Sequence, residues 1–300
     1  MTDAWRCPIC GGTTGDPRWR VPSVGGECGV DAESFRPSAA SFGQTAARVL
    51  RCARCGHGSL ESPPEPAALA VAYGEAADPV SLGEESGQVE TGRRTMRALE
   101  AVVPVGRIAD LGCWTGSLLV AARERGWDTV GVEPSAWAVQ RARERGLDVR
   151  LGSLEQPDLA AGSCRAVALC DVLEHLADPG EALEQARGLL EPGGAILVTL
   201  PDAGSLLARV MGARWWSVLP MHVQYFTRGS VRQLLEQHGF TILVTATHPK
   251  VFTARYYAHR LSGYNDRWGR TAVRAVERIG LAERLVAPNF RDRLLVVAAT

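Results

Sequence analysis

Four cysteines fall into two matching pairs, Cys7-Pro-Ile-Cys10-Gly11 and Cys52-Ala-Arg-Cys55-Gly56. Each pair offers two thiolates from one tight turn, and the glycine permits the backbone that the turn needs. Four thiolates complete a tetrahedral zinc site. Cys7, Cys10, Cys52 and Cys55 are therefore expected to hold a structural zinc ion; the alternative is four free thiols. Neither pair stands between a strand and a helix, which argues against redox chemistry. The stretch from Gly11 to Arg51 exceeds what a compact zinc ribbon requires, so it predicts a hairpin or loop insertion. Cys28 lies inside it as an alternative ligand, without a partner at the right spacing.

A second constellation could bind a nucleoside. Asp110-Leu-Gly112-Cys-Trp-Thr-Gly116 follows a short apolar run and precedes a helical pattern. Its glycines let the chain turn tightly and approach a ligand, and the helix that follows offers unpaired N–H groups. The next apolar run ends in Glu133, within Val130-Gly-Val-Glu133-Pro134-Ser135. An acid there can accept hydrogen bonds from both ribose hydroxyls. Glycine loop plus acid also fits a nicotinamide-binding domain. Further on stand Asp171-Val-Leu-Glu174-His175, and His222 within Trp215-Trp216-Ser-Val-Leu-Pro-Met-His222-Val-Gln-Tyr225-Phe226.

Alternating elements must position these residues. Short apolar runs at Ile108–Leu111, Thr129–Val132, Val149–Leu151, Ala166–Cys170, Ala195–Leu200, Phe240–Thr245 and Leu294–Ala298 predict strands. Helical patterns lie at Arg93–Val103, Ser117–Arg125, Ser135–Arg145, Pro179–Leu190 and Ser230–His238. That alternation predicts an α/β fold, a mainly parallel sheet with right-handed crossovers. Residues 1–62 form a zinc-binding module, 63–105 a linker and helical region, and 106–300 the α/β domain. Residues 251–289 read as a helical insert with Val273, Val276, Ile279 and Leu281 on an apolar face; it could be a lid, a substrate wall or a homodimer contact, and a packed cover is the plainer expectation.

Lys plus Arg and Asp plus Glu are both 33, so formal net charge is zero. That argues against nucleic acid as the main partner, because such binders carry a basic excess or stripe. Arg48, Arg51 and Arg54 read as a solvated face. Lys250 is the only lysine, which reads as compositional bias. No apolar run approaches a membrane span, and the N-terminus lacks a secretory core. A cytoplasmic location is expected, where paired cysteines favour metal over disulfide.

In order and spacing, these motifs, with Gly152-Ser153-Leu-Glu155 and Leu190-Glu-Pro-Gly-Gly-Ala195, resemble the class I S-adenosylmethionine-dependent methyltransferases over about residues 95–300. The resemblance implies a Rossmann-like seven-stranded sheet, preceded here by a small zinc-ribbon-like module. It implies that Asp110, Gly112, Cys113 and Gly116 line the methionine portion of the cofactor, with Cys113 a small buried filler. Glu133 and Pro134 would border the ribose, Ser153 and Leu154 the adenine, and Asp171 the sulfonium and substrate. Trp114 stands where such loops usually carry a small residue; it is expected to wall the substrate pocket rather than force the loop open. The Pro201–Phe240 segment resembles a subgroup acting on small molecules and surface sugars, which places His222 over the substrate as base, ligand or structural group, and His175 as a pin for its loop. Asp171, Glu174, His175 and His222 also resemble the set with which some RNA-terminal and quinone O-methyltransferases bind a divalent ion. The implied activity is methyl transfer to oxygen or carbon of a sugar or natural-product intermediate. A zinc-containing ribosomal or transfer RNA methyltransferase and a non-catalytic scaffold are the alternatives.

Overall fold

A computed structural model describes residues 5–19, 30–36, 38, 41–154 and 157–300. Cys28 and Glu155 lie outside the described residues. The chain opens with three antiparallel strands, β1 (Gly15–Trp19), β2 (Val49–Cys52) and β3 (Gly58–Leu60). Helices α1 (Pro66–Gly74) and α2 (Glu85–Glu100) follow. Then come β4 (Arg107–Leu111), α3 (Ser117–Arg123), β5 (Asp128–Glu133), α4 (Ala136–Glu144), β6 (Val149–Leu151), β7 (Cys164–Cys170), α5 (Pro179–Leu189) and β8 (Leu190–Pro201). The last part holds α6 (Leu206–Met211), β9 (Gln224–Tyr225), α7 (Arg228–Gln237), β10 (Thr241–Thr247), β11 (Phe252–Thr253), α8 (Ala254–Arg260), α9 (Asp266–Arg278), β12 (Leu285–Val286) and β13 (Arg293–Ala299).

The central sheet has seven strands in the order β10-β13-β8-β7-β4-β5-β6. Strands β4 to β8 pair in parallel, and β13 runs antiparallel to both neighbours. This is the Rossmann-like α/β sheet expected from the alternating pattern. Side chains alternate across each strand, so Ala109, Leu111, Val167, Leu169, Ile196 and Val198 face one layer, with Leu183 and Leu234 of α5 and α7. Ile108, Ala166, Ala168 and Leu197 face the other, with Met96 and Leu99 of α2. Strands buried on both sides must be apolar throughout, as the sequence runs are. Chain order reverses at β4, whose neighbours are β5 and β7. A crevice for ligands therefore opens at the carboxyl ends of those strands.

The cysteine module shares a sheet and a core with the rest of the chain. β3 pairs with β9, Gly58 opposite Tyr225 and Ser59 opposite Gln224. Fully buried His57 donates from Nε2 to the Gln224 amide oxygen at 2.9 Å, and its Nδ1 meets the Ser230 hydroxyl at 3.2 Å. Trp19, Phe35, Val49 and Leu60 pack into one cluster with Trp215, Val218, Val223 and Tyr225. The two-residue strand β9 is too short to show as an apolar pattern.

The insert at residues 251–289 holds the two helices α8 and α9, and several of its residues line the cavity described below. Its ends pair as β11 and β12, and α9 packs on α8 rather than on the sheet. Ile279 is 65% exposed and Leu281 38%, so half of the anticipated apolar face points to solvent. Among the described residues no helix is long and apolar enough to cross a membrane.

The β3–β9 junction has little slack. A Cβ on Gly58 would stand 2.9 Å from Tyr225 Cβ. Gly58→Ala is expected to destabilise the chain by about 1–3 kcal/mol and to speed proteolytic cleavage between the module and α2. A thermal melt and limited proteolysis check both.

Candidate active site

The loop after β4 is shaped by two left-handed glycines, Gly112 at φ 78° and Gly116 at φ 79°. A side chain would not fit at either: a Cβ would fall 2.7 Å from Val172 at Gly112 and 2.3 Å from Leu147 at Gly116. Trp114 also has positive φ, 50°. That conformation turns its N–H toward Glu133 Oε2, 2.8 Å away. The loop is closed onto the acid, and the indole lines the cavity, as the wall reading anticipates.

Two acids stand side by side at the ends of β4 and β5. Asp110 is 2% exposed, and its Oδ1 is buried without a partner among the described residues. Burial, then the nearby Glu133 charge, raises its pKa to about 7. Glu133 is fully buried. It accepts from the Ser135 N–H at 2.8 Å, the Trp114 N–H, and the Tyr73 hydroxyl at 3.4 Å. Burial still lifts it to about 7 against those three donors. Tyr73, on α1, belongs to an aromatic ladder. It stacks on Phe35 at 5.1 Å and on Trp114 at 6.5 Å, and Trp114 meets Trp137 at 5.5 Å.

A cavity of about 1120 Å³ opens from this loop. It includes Asp110, Gly112, Cys113 and Trp114 on one side, and Phe35, Ser38 and Phe42 of the cysteine module on another. Glu133, Pro134, Ser153 and Leu154 do not reach its wall. Of the methionine-side residues, Asp110, Gly112 and Cys113 line the cavity and Gly116 does not, while Glu133 is covered by the Tyr73 hydroxyl and the Trp114 N–H. Cys113 is buried, as a filler would be, and lines the cavity as well.

The histidines meet although they are far apart in sequence. His175 and His222 have ring centroids 4.9 Å apart. His222 Nδ1 lies 2.8 Å from the Ser217 carbonyl, and His175 Nδ1 lies 3.2 Å from the Met221 carbonyl. A carbonyl can only accept, so both rings carry their proton on Nδ1 and keep a lone pair on Nε2. Burial lowers His175 to about 4 and His222 well below its usual value, so both are neutral. Glu174 joins them: donor atoms of the three lie within 4.8 Å of one another, and Glu174 Oε2 is buried without a partner among the described residues. Asp171 does not belong to this group. It takes a left-handed φ of 59°, and its two carboxylate oxygens are held by Lys250 and Arg293. The four-residue divalent site is therefore corrected to three residues, because two cations already occupy the fourth.

The cysteines also converge. Cys7 and Cys55 Sγ lie 3.5 Å apart, as do those of Cys10 and Cys52. A tetrahedron with Zn–S bonds of about 2.3 Å places its sulfurs about 3.8 Å apart, so the set fits zinc. Gly11 and Gly56 take matching φ of 67° and 74°, and each donates its N–H to the carbonyl of its knuckle's first cysteine.

Several site residues were not visible in the sequence. Tyr73, Phe35 and Phe42 belong to no motif. Arg293 opens an ordinary apolar strand. Lys250 did carry a signal, its uniqueness, and composition alone could not say what it meant.

A methyltransferase-domain family matches residues 85–245. The chain belongs to this family, that of the class I S-adenosylmethionine-dependent methyltransferases. It is 35% identical over 105 residues to a 37.1 kDa protein of transposon TN4556 from Streptomyces fradiae, covering 32% of this chain and 30% of that one. It is 32% identical over 129 residues to a ubiquinone biosynthesis O-methyltransferase of Cereibacter sphaeroides, covering 40% and 52%. The matches thus span a third to a half of these curated relatives. A methyltransferase from Bacillus halodurans has the same fold, with a TM-score of 0.50 at 15% identity over 69% of this chain and 97% of that chain. So does the Haloferax volcanii methyltransferase complex with the activator Trm112, with a TM-score of 0.50 at 20% identity over 72% and 92%.

The unpartnered acid has a stability consequence. The folded pKa of Asp110 is raised above its ordinary 3.8, so the folded state holds the proton more tightly. In the ligand-free protein this group therefore costs stability as pH rises from 3.8 to about 7. Asp110→Asn is expected to raise Tm at pH 8 but not at pH 4, by about 2–4 °C for each kcal/mol relieved. The same change should weaken S-adenosylmethionine binding at least about tenfold. Melting curves at the two pH values and calorimetric titration check the two halves.

Proposed function

We propose that this chain transfers the methyl group of S-adenosylmethionine to a small molecule held between the glycine loop and the zinc module. One observation carries the reading: a single cavity runs from Asp110 to His222 and on to Phe35 and Phe42. At about 1120 Å³ it exceeds the roughly 300–1,000 Å³ usual for one ligand, which suits a cofactor and an acceptor together. Aromatic walls favour a small organic acceptor, and zero net charge offers no general attraction for RNA. Relatives that carry the ubiquinone O-methyltransferase name support an organic hydroxyl as one acceptor type. A sugar or other natural-product intermediate, methylated at oxygen or carbon, is the class we assign.

The residues fit the cofactor. S-adenosylmethionine supplies a methyl group already made electrophilic by its sulfonium, so the protein must align the reactants and manage a proton. The orphaned Asp110 oxygen would accept from the cofactor's ammonium group. Glu133 would hold the ribose hydroxyls in exchange for the Tyr73 hydroxyl, with Pro134 beside it and Ser153 and Leu154 toward the adenine. Gly112 and Gly116 keep the loop backbone clear. His222 then acts as the base: its Nδ1 proton is committed to the Ser217 carbonyl, and Nε2 is free to take a proton from the acceptor. His175 packs against His222 and orients it. Zinc on Cys7, Cys10, Cys52 and Cys55 would fix the wall that carries Phe35 and Phe42.

A second reading of the histidine pair has its own support. One ring nitrogen of each histidine and one carboxylate oxygen of Glu174 lie within 4.8 Å of one another, a set that suits a divalent ion, which would acidify an acceptor hydroxyl. Activity that survives chelation with the cysteine-bound zinc left in place would exclude it.

The direct test incubates zinc-loaded protein with methyl-deuterated S-adenosylmethionine and panels of hydroxylated aromatics, sugars and RNA, with mass-spectrometric readout. Label is expected in a small molecule. His222→Asn is expected to lower kcat by about 10²–10⁴ and to leave cofactor affinity unchanged. Label in RNA alone, or an unaffected His222→Asn enzyme, would contradict the reading.

A further inference from the structure

In the cavity wall, Asp171 meets two cations at once. Lys250 Nζ contacts one carboxylate oxygen, and the Arg293 guanidinium holds the other. The cations arrive from different segments, Lys250 from the connection after β10 and Arg293 from the start of β13. Both line the cavity. Two positive charges thus share one negative charge.

Among the described residues no other carboxylate pairs with either cation. His248 is lowered to about 4, chiefly by burial, and is neutral. Donors also remain unused. Arg293 Nε is buried without a partner among the described residues. An ammonium has three N–H donors, and Asp171 occupies one. Excess positive charge away from bulk water is unfavourable unless an anion compensates it. A sulfonium entering the cavity increases that excess.

We propose that Lys250 and Arg293 bind an oxyanion of the acceptor, a carboxylate or phosphate group, while Asp171 holds the two cations in position. The inference rests on the methyl-transfer reading above and extends it by assigning charge to the acceptor. A neutral acceptor leaves the excess in place; an anionic one cancels it and occupies the spare donors. The arrangement also accounts for the left-handed backbone of Asp171, since its carboxylate is anchored from two sides. Asp171 is thereby a positioning residue for the anion site.

The test uses the full-length, zinc-loaded chain saturated with S-adenosylhomocysteine. It is titrated calorimetrically with inorganic phosphate, pyrophosphate and benzoate. At least one probe is expected to bind saturably, and the phosphate and benzoate arms tell which oxyanion is preferred. Lys250→Gln should weaken that binding at least about tenfold, the loss of one charge-assisted contact. Lys250→Arg, which keeps the charge, should restore most of it, and neither change should alter S-adenosylhomocysteine affinity. The proposal is overturned if every probe fails to bind while S-adenosylhomocysteine does, or if Lys250→Gln binds the probe as tightly as the parent. Failure of S-adenosylhomocysteine itself would instead refute the methyl-transfer reading. The same phosphate and benzoate titrations on the ligand-free chain would then decide the anion site by the same comparison.

Discussion

Two carboxyl groups buried side by side, Asp110 and Glu133, set the terms for the rest of this structure. Parallel strands β4 and β5 are neighbours, so acids at their carboxyl ends are forced together at the point where the sheet's order reverses. Glu133 is offset by two backbone N–H groups and a phenol. One oxygen of Asp110 has no partner among the described residues. A native structure rarely keeps a buried polar atom unsatisfied, and when it does the reason is usually functional. Both acids are held near neutral pH by desolvation, poised to ionise when a cation and hydroxyl donors arrive.

The cysteine module joins that chemistry through packing. Because β3 is continued by β9, the turns organised by Cys7, Cys10, Cys52 and Cys55 are tied to the segment that carries His222. Phe35 touches Tyr73 on one side and the His175 ring on the other, at 5.1 and 5.7 Å. Phe35 thus links the module to the phenol over Glu133 and to the histidine pair through direct contacts. Small zinc knuckles have little core of their own; here Trp19, Val49 and Leu60 borrow one from Trp215 and Tyr225.

Much of the framework was legible in the sequence because it is local. The apolar runs of β4, β5, β7 and β8 declare strands buried on both faces, and the glycines around Trp114 declare a loop that side chains cannot enter. Two CxxC pairs announce their convergence by identical spacing. The rest depends on contacts between distant segments. Tyr73 reaches Glu133 across 60 residues, and Arg293 reaches Asp171 across 122. Neither has a local pattern to betray it. The resemblance groups Asp171 with Glu174, His175 and His222, but its left-handed backbone and two cationic partners separate it from them. The helical character of the insert was legible too, but its apolar periodicity could not show that α9 turns that face partly to α8 and partly to solvent.

Cofactor binding is expected to ionise the buried acid pair. Titration of the zinc-loaded chain with S-adenosylhomocysteine at pH 6.5, in buffers of different ionisation enthalpy, measures this. Saturable binding with net proton release is expected, because Asp110 and Glu133 exchange their protons for an ammonium and ribose hydroxyls. Binding without proton release, or with proton uptake, would contradict it.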